Sequence, residues 1–152
     1  MPAGMKYWLP VIAWMLLIFI ASTDLMSAQH TSRFIGPFLL WLHPGISPEA
    51  LRAVQFAVRK AAHVMEYAIL GVLLVRAWRG GVRAICWWHA LAALLMAGTY
   101  AALDEFHQSF VASRTGSPLD VAIDTCGAAL GVALYFAALQ LRDRATRARA
   151  SH

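Results

Sequence analysis

Four apolar stretches of membrane length set the terms for this chain. Residues 7–23 read "YWLPVIAWMLLIFIAST" and carry no formal charge. Residues 84–103, "AICWWHALAALLMAGTYAAL", carry none either. Two further stretches, about 53–78 and about 119–141, are apolar but interrupted by polar groups. A transmembrane helix needs about 20 mostly apolar residues, and only a helix or a closed barrel satisfies its own backbone inside a bilayer. The expected fold is therefore all-α: a four-transmembrane-helix bundle, one integral membrane domain over residues 1–152. Composition agrees. The chain is 60% hydrophobic and 14% charged, whereas soluble domains lie nearer half apolar and a quarter charged. A cleaved signal peptide is an alternative for the first stretch, since Lys6 precedes it and Ser27-Ala28 follows. Met26 at the −3 position argues against that cleavage site.

The net charge of +5 would suggest nucleic acid in a soluble protein. Here the basic residues lie between and after apolar stretches, where they orient a membrane protein. With four spans, Lys6, Arg76, Arg79, Arg83, Arg142, Arg144, Arg147 and Arg149 share one side. Arg33, Arg52, Arg59, Lys60 and Arg114 share the other. The excess places both termini in the cytoplasm. No nucleic-acid-binding pattern is present. The tail 142–152, "RDRATRARASH" from Arg142 on, reads as a basic cytoplasmic segment attracted to anionic lipid. Trp8, Trp41, Trp78, Trp87 and Trp88 fall near span ends, as interfacial aromatics do. Cys86 and Cys126 have no metal-ligand spacing and are expected near opposite faces, too far apart for a disulfide.

Between the first two spans lies a long loop, about 24–52, containing "RFIGPFLLWLHPG". This run is too short to span and reads as an extracytoplasmic interfacial or re-entrant helix. Pro44-Gly45 would end it, and Ser47-Pro48 would start the next helix.

Orientation brings the polar residues together. The second span enters from outside, so Arg59, Lys60, His63, Glu66 and Tyr67 occupy its outer half. Arg59, His63 and Glu66, at i, i+4 and i+7, share a helical face. The third span ends outside with Asp104 and Glu105; Tyr100, Asp104 and Gln108 are spaced by four. The fourth re-enters with Asp120 and Asp124, again i and i+4. Three helices thus carry charged groups to one depth. Ionisable groups inside a membrane are costly and normally face a bundle interior or a wet cavity. The cluster reads as a catalytic or ligand-binding cavity; the plainer alternative is a polar network that only locks the helices. Gly71, and Gly127 with Gly131 in G-x-x-x-G spacing, read as close helix packing. "RTGSP", 114–118, reads as a turn at Gly116, a cap at Ser117 and a first helical residue at Pro118. That turn would return Arg114 to the cavity mouth, where its fork suits carboxylate or phosphate. His89 reads as structural.

"RKAAHVMEYAILGVLL", 59–74, followed by "DEFHQSFVASRTGSPLDVAIDTCGAALG", 104–131, resembles the VanZ-like family. The pattern's Arg-Lys and His-x-x-Glu-Tyr correspond to Arg59, Lys60, His63, Glu66 and Tyr67. Its Asp-Glu-x-x-Gln, Arg and paired Asp correspond to Asp104, Glu105, Gln108, Arg114, Asp120 and Asp124. "AST" at 21–23 fits as well. The resemblance implies a small multi-pass protein of the bacterial inner membrane. The family's founding member is associated with low-level resistance to the glycopeptide teicoplanin, without an assigned reaction.

The expected function is binding or processing of an amphiphilic cell-envelope molecule, a lipid or cell-wall precursor. His63, Glu66, Asp104, Glu105, Asp120 and Asp124 are the candidate acid–base residues. Arg59, Lys60, Tyr67, Gln108 and Arg114 are the candidate binding residues. A divalent metal is compatible with His63, Glu66, Asp104, Asp120 and Asp124, although no zinc spacing is present. No nucleophile motif appears. A proton-coupled transporter or relay, or a non-catalytic scaffold, are the alternatives; the inward halves of spans three and four are apolar, which weighs against a relay.

Overall fold

The computed structural model describes residues 4–23, 28–81, 86–111 and 116–150, with the side chains of 28–32 and Phe34 set aside. The described residues form five helices and no strand: α1 (Met5–Ser22), α2 (Ala28–Leu42), α3 (Pro48–Arg79), α4 (Trp87–Gln108) and α5 (Pro118–Ala150).

Helices α1, α3, α4 and α5 run alternately up and down. At one end, Trp8 of α1 meets Trp78 of α3 with rings 5.5 Å apart. Midway, the Trp14 indole N–H donates to the Glu66 carbonyl at 2.9 Å. At the other end, Ser22 of α1 meets Asp104 of α4, and Lys60 of α3 meets Asp120 of α5. Ser22 and Asp104 thus share the polar end with the starts of α3 and α5. The opposite end gathers Tyr7, Arg76, Arg79 and Tyr135.

Three helices, α1, α3 and α5, are long and apolar enough to cross a membrane by length and composition. The expected third span does not reach that standard among the described residues. α4 has 22 residues, about 33 Å of helix. Its composition falls short because Trp87, Trp88 and His89 open it and Asp104, Glu105, His107 and Gln108 close it. Ala84, where the span was expected to begin, lies outside the described residues.

Capping explains the boundaries. The Ser47 hydroxyl accepts the Ala50 N–H at 3.2 Å, and Pro48 takes the first position of α3. Gly80, in the left-handed region at φ 55°, ends that helix by donating its N–H to Arg76 and Ala77. α5 begins at Pro118, and Ser117 Oγ accepts the Leu119 N–H at 3.3 Å. α5 runs through the basic tail without a break to Ala150. α2 has 15 residues and packs on α3, too short to span. Gly36 faces Gln55, while Phe38, Trp41 and Leu42 are exposed.

The core is made of small and branched residues. Tyr67, Leu70, Leu74 and Val75 of α3 pack with Ala93, Ala97 and Ala101 of α4, Ala128 and Val132 of α5, and Val11 and Ile18 of α1. The α3–α5 seam is the tightest. A Cβ at Gly131 would stand 2.0 Å from the Ala68 carbonyl oxygen, one at Gly127 2.6 Å from that of Val64, and one at Gly71 2.4 Å from that of Ala128. Interhelical contact in a bilayer gains little from hydrophobicity, so it relies on such close approach. Large apolar residues such as Leu16, Leu95, Leu103 and Leu134 point outward, the reverse of a soluble protein and natural for a lipid-facing surface.

Candidate functional site

The tight seam delivers the polar residues of α3 and α5 to each other. Lys60, His63 and Tyr67, at i, i+3 and i+7, share one face of α3. Lys60 Nζ forms an ion pair with Asp120 Oδ1, both side chains about three-quarters buried at 26% and 22% exposure. One turn deeper, His63 Nδ1 lies 3.5 Å from Asp124 Oδ1. At that distance, and without hydrogen-bond geometry, the contact is electrostatic. Asp124 is fully buried. The i, i+4 spacing on α5 therefore meets an i, i+3 spacing on α3 as two rungs.

α4 closes the third side. Its buried stripe Ala93, Ala97, Ala101 continues into Asp104, Glu105 and Gln108. Asp104 Oδ2 accepts from the Ser22 hydroxyl at 2.8 Å and from Gln108 Nε2 at 2.9 Å. Gln108 Nε2 also reaches Ser22 Oγ at 3.4 Å. Glu105 Oε2 accepts the Ser117 backbone N–H at 2.8 Å, tying the end of α4 to the start of α5. Gly116 makes that approach feasible: a Cβ there would lie 2.6 Å from the Glu105 carbonyl oxygen.

These contacts leave oxygen atoms over. The Tyr67 hydroxyl, Asp104 Oδ1, Glu105 Oε1 and both Asp124 carboxylate oxygens are buried without a hydrogen-bond partner among the described residues. A buried polar atom left so costs about 1–3 kcal/mol. Four residues from three helices share this condition at one end of the bundle. Such a set can take up donors: water, protons, a cation or the hydroxyls and amines of a ligand.

The structure thus brings Lys60, His63, Asp104, Glu105, Gln108, Asp120 and Asp124 to one end of the bundle in separate sets of contacts (Lys60 with Asp120, His63 with Asp124, Asp104 with Gln108 and Ser22, Glu105 with Ser117), and Tyr67 is buried at the same end. Arg59 is half-buried on the turn beside Lys60. Glu66 is half-buried, and its carbonyl accepts from Trp14 of α1. The α3 residues that meet α5 are Lys60 and His63 through their side chains and Val64, Ala68 and Gly71 along the backbone, while the Tyr67 ring faces Tyr100 of α4. Arg114 lies outside the described residues. Tyr100 supports the site: its hydroxyl donates to the Met15 carbonyl at 2.6 Å, and its ring lies 6.4 Å from that of Tyr67. Among the described residues, no three His, Cys, Asp or Glu side chains are grouped to hold a metal ion.

Ser22 is the contributor that side-chain chemistry alone did not single out. It is 3% exposed and ties α1 to Asp104. Its one signal is position: a hydroxyl in the "AST" that ends an otherwise apolar span. Ser117, read as a cap, also supplies Glu105 with a backbone donor.

No curated protein and no solved structure matches the chain. A family model does, and its match includes every residue of the polar cluster. The chain belongs to the VanZ/LLP1 family, whose model matches residues 7–140.

Proposed function

We propose that this protein binds or processes an amphiphilic cell-envelope molecule, a lipid or cell-wall precursor, at the polar end of its bundle. The observation that carries the reading is the group of buried oxygens of Tyr67, Asp104, Glu105 and Asp124 without hydrogen-bond partners among the described residues. A network that only locked helices would close on itself; this one keeps acceptor capacity beside an ammonium and an imidazole. His63 with Asp124 is the acid–base pair of the proposal, and Lys60 with Arg59 and Arg114 supplies positive charge for a phosphate or carboxylate.

In this reading α4 is the fourth span. Its polar ends sit at the two interfaces, and its about 33 Å length matches the hydrocarbon thickness. α2 lies in the interface over the polar end, its exposed Phe38, Trp41 and Leu42 turned to lipid. The chain resides in the bacterial inner membrane with both termini cytoplasmic, supported by the excess of Arg and Lys on that side. The site then faces the outer leaflet, where envelope precursors and glycopeptides meet.

Family membership makes teicoplanin susceptibility the phenotype to measure. A glycopeptide-susceptible host would express wild type, His63→Ala and Asp124→Asn at matched membrane abundance. Wild type is expected to raise tolerance and both variants to lose at least most of the gain. Variants as protective as wild type at equal abundance would remove His63 and Asp124 from the mechanism.

A network kept only for helix locking is the second reading, favoured by the closed Lys60–Asp120 pair and the Ser22–Asp104–Gln108 cluster. It predicts that the same variants lower thermal stability in parallel with function. The first reading predicts that Asp124→Asn, which keeps shape, loses function with little loss of stability.

A further inference from the structure

The opposite end of the bundle carries a second, separate feature. Two adjoining cavities open there, of about 160 and 460 Å³, and share Arg79, Gly81 and Tyr135 in their walls. Arg76 and Tyr7 line the smaller one. Arg142, Asp143 and Thr146 line the larger. The formal charge of the combined lining is three arginines against one aspartate, a net +2.

Two of the three arginines are held by aromatic side chains, and Arg142 is exposed beside them. Arg79 is 8% exposed, and its Nη1 donates to the Tyr135 hydroxyl at 2.8 Å. Its guanidinium also lies 5.6 Å from the centre of the Tyr135 ring. Arg76 stacks over Tyr7 at 5.9 Å. Gly81, at φ 89°, is packed against the Tyr7 hydroxyl, where a Cβ would come within 2.5 Å. Guanidinium groups fixed by rings and hydroxyls lose little further freedom on meeting an anion. The Trp8–Trp78 pair one turn away marks interfacial depth. Leu139 adds an apolar wall to the larger cavity.

We infer that the two adjoining cavities together form a phosphate-binding site, with Arg79 in their shared wall, Arg76 lining the smaller and Arg142 the larger, that takes the headgroup of an anionic phospholipid from the leaflet on the termini side. Guanidinium forks match phosphate oxygens in pairs. Basic pockets between membrane helices recognise lipid headgroups in this way. The Thr146 and Tyr135 hydroxyls offer further polar contacts, and Leu139 lies where the glycerol and first acyl carbons would pass. Free phosphate shares the headgroup's recognition chemistry and is separated from it by the test. The inference does not depend on the function proposed for the polar end.

The test uses the full-length protein purified in detergent, with native mass spectrometry reading retained lipid after addition of phosphatidylglycerol or phosphatidylcholine. Wild type is expected to retain phosphatidylglycerol in preference to phosphatidylcholine. The double variant Arg76→Gln/Arg142→Gln changes two exposed residues and leaves the Arg79–Tyr135 contact intact. It is expected to weaken retention about thirtyfold, from about one tenfold step and a half for two surface-near charges. Arg147→Gln/Arg149→Gln, which removes the same charge from the exposed end of α5, is expected to retain lipid as wild type does. Thermal stabilisation by inorganic phosphate without lipid, lost in the first double variant and with no lipid retained, would assign the pocket to the free anion. Equal retention by the first double variant and wild type, or equal loss in both double variants, would overturn the site.

Discussion

Asp104 shows how one carboxylate can serve both structure and chemistry. Its Oδ2 accepts from Ser22 of α1 and Gln108 of α4, while its Oδ1 is buried without a partner among the described residues. Asp104→Ala strands two buried donors, so thermal unfolding in detergent should report a loss of about 1–2 kcal/mol. Asp104→Asn keeps the shape and should lose clearly less, because its side-chain oxygen can still accept from Ser22. Equal losses would mean that charge, not the hydrogen bonds, holds this corner. The residue types of the site were legible in the sequence because charged groups in apolar stretches stand out and helical spacing gives their faces. The face that mattered on α3 was less legible. Spacing alone grouped Arg59, His63 and Glu66, whereas the packing of α3 against α5 brings Lys60 and His63 to Asp120 and Asp124. Which of two overlapping faces meets a neighbour depends on where the glycines let the helices touch. Ser22 stayed hidden for a related reason: a lone hydroxyl at a span end has no period to announce it.

At the scale of the element, the α3–α5 seam decides the geometry of the site. Gly127 follows Asp124 by one turn, and Gly131 by two. Their contacts with the carbonyls of Val64 and Ala68 set how close His63 comes to Asp124. Gly131→Ala would put a methyl group where a backbone oxygen now sits, 2.0 Å away, and is expected to cost about 1–3 kcal/mol through forced separation of the helices. Gly98→Ala is the control, since its Cβ would meet the Thr125 side chain at 3.4 Å (Oγ1) and 3.7 Å (Cγ2) and no backbone atom within 4 Å outside its own helix, and it should be near neutral. Comparable destabilisation by the two would deny the seam its special role. The G-x-x-x-G spacing foretold this packing, and Ser47-Pro48 and Ser117-Pro118 foretold two helix starts to the residue. The apolar middle of α4 was legible as a hydrophobic stretch, while its ends carry Trp87, Trp88 and His89 on one side and Asp104, Glu105, His107 and Gln108 on the other, which leaves it less apolar than α1, α3 and α5. α5 continues through the basic residues to Ala150: "RDRATRARA" is a charge run, and its Arg and Ala are strong helix formers that extend the helix beyond the apolar stretch.

For the whole molecule, the helices separate two chemistries. Carboxylates, an imidazole and a lysine meet at one end; arginines and tyrosines meet at the other. Between them lies a core of Ala, Leu and Val with apolar side chains facing outward. No polar chain crosses this middle among the residues of the described core, so the two ends are expected to act separately. The central claim is that the buried oxygens at the carboxylate end face a ligand and do not merely complete a staple. The most direct measurement is a high-resolution structure of the protein in native lipid, with elemental analysis of the same sample. The account predicts non-protein density, a headgroup or ordered polar ligand, within hydrogen-bond distance of Tyr67, Asp104 and Asp124. A dry network in which every one of those oxygens is paired within the protein would contradict it.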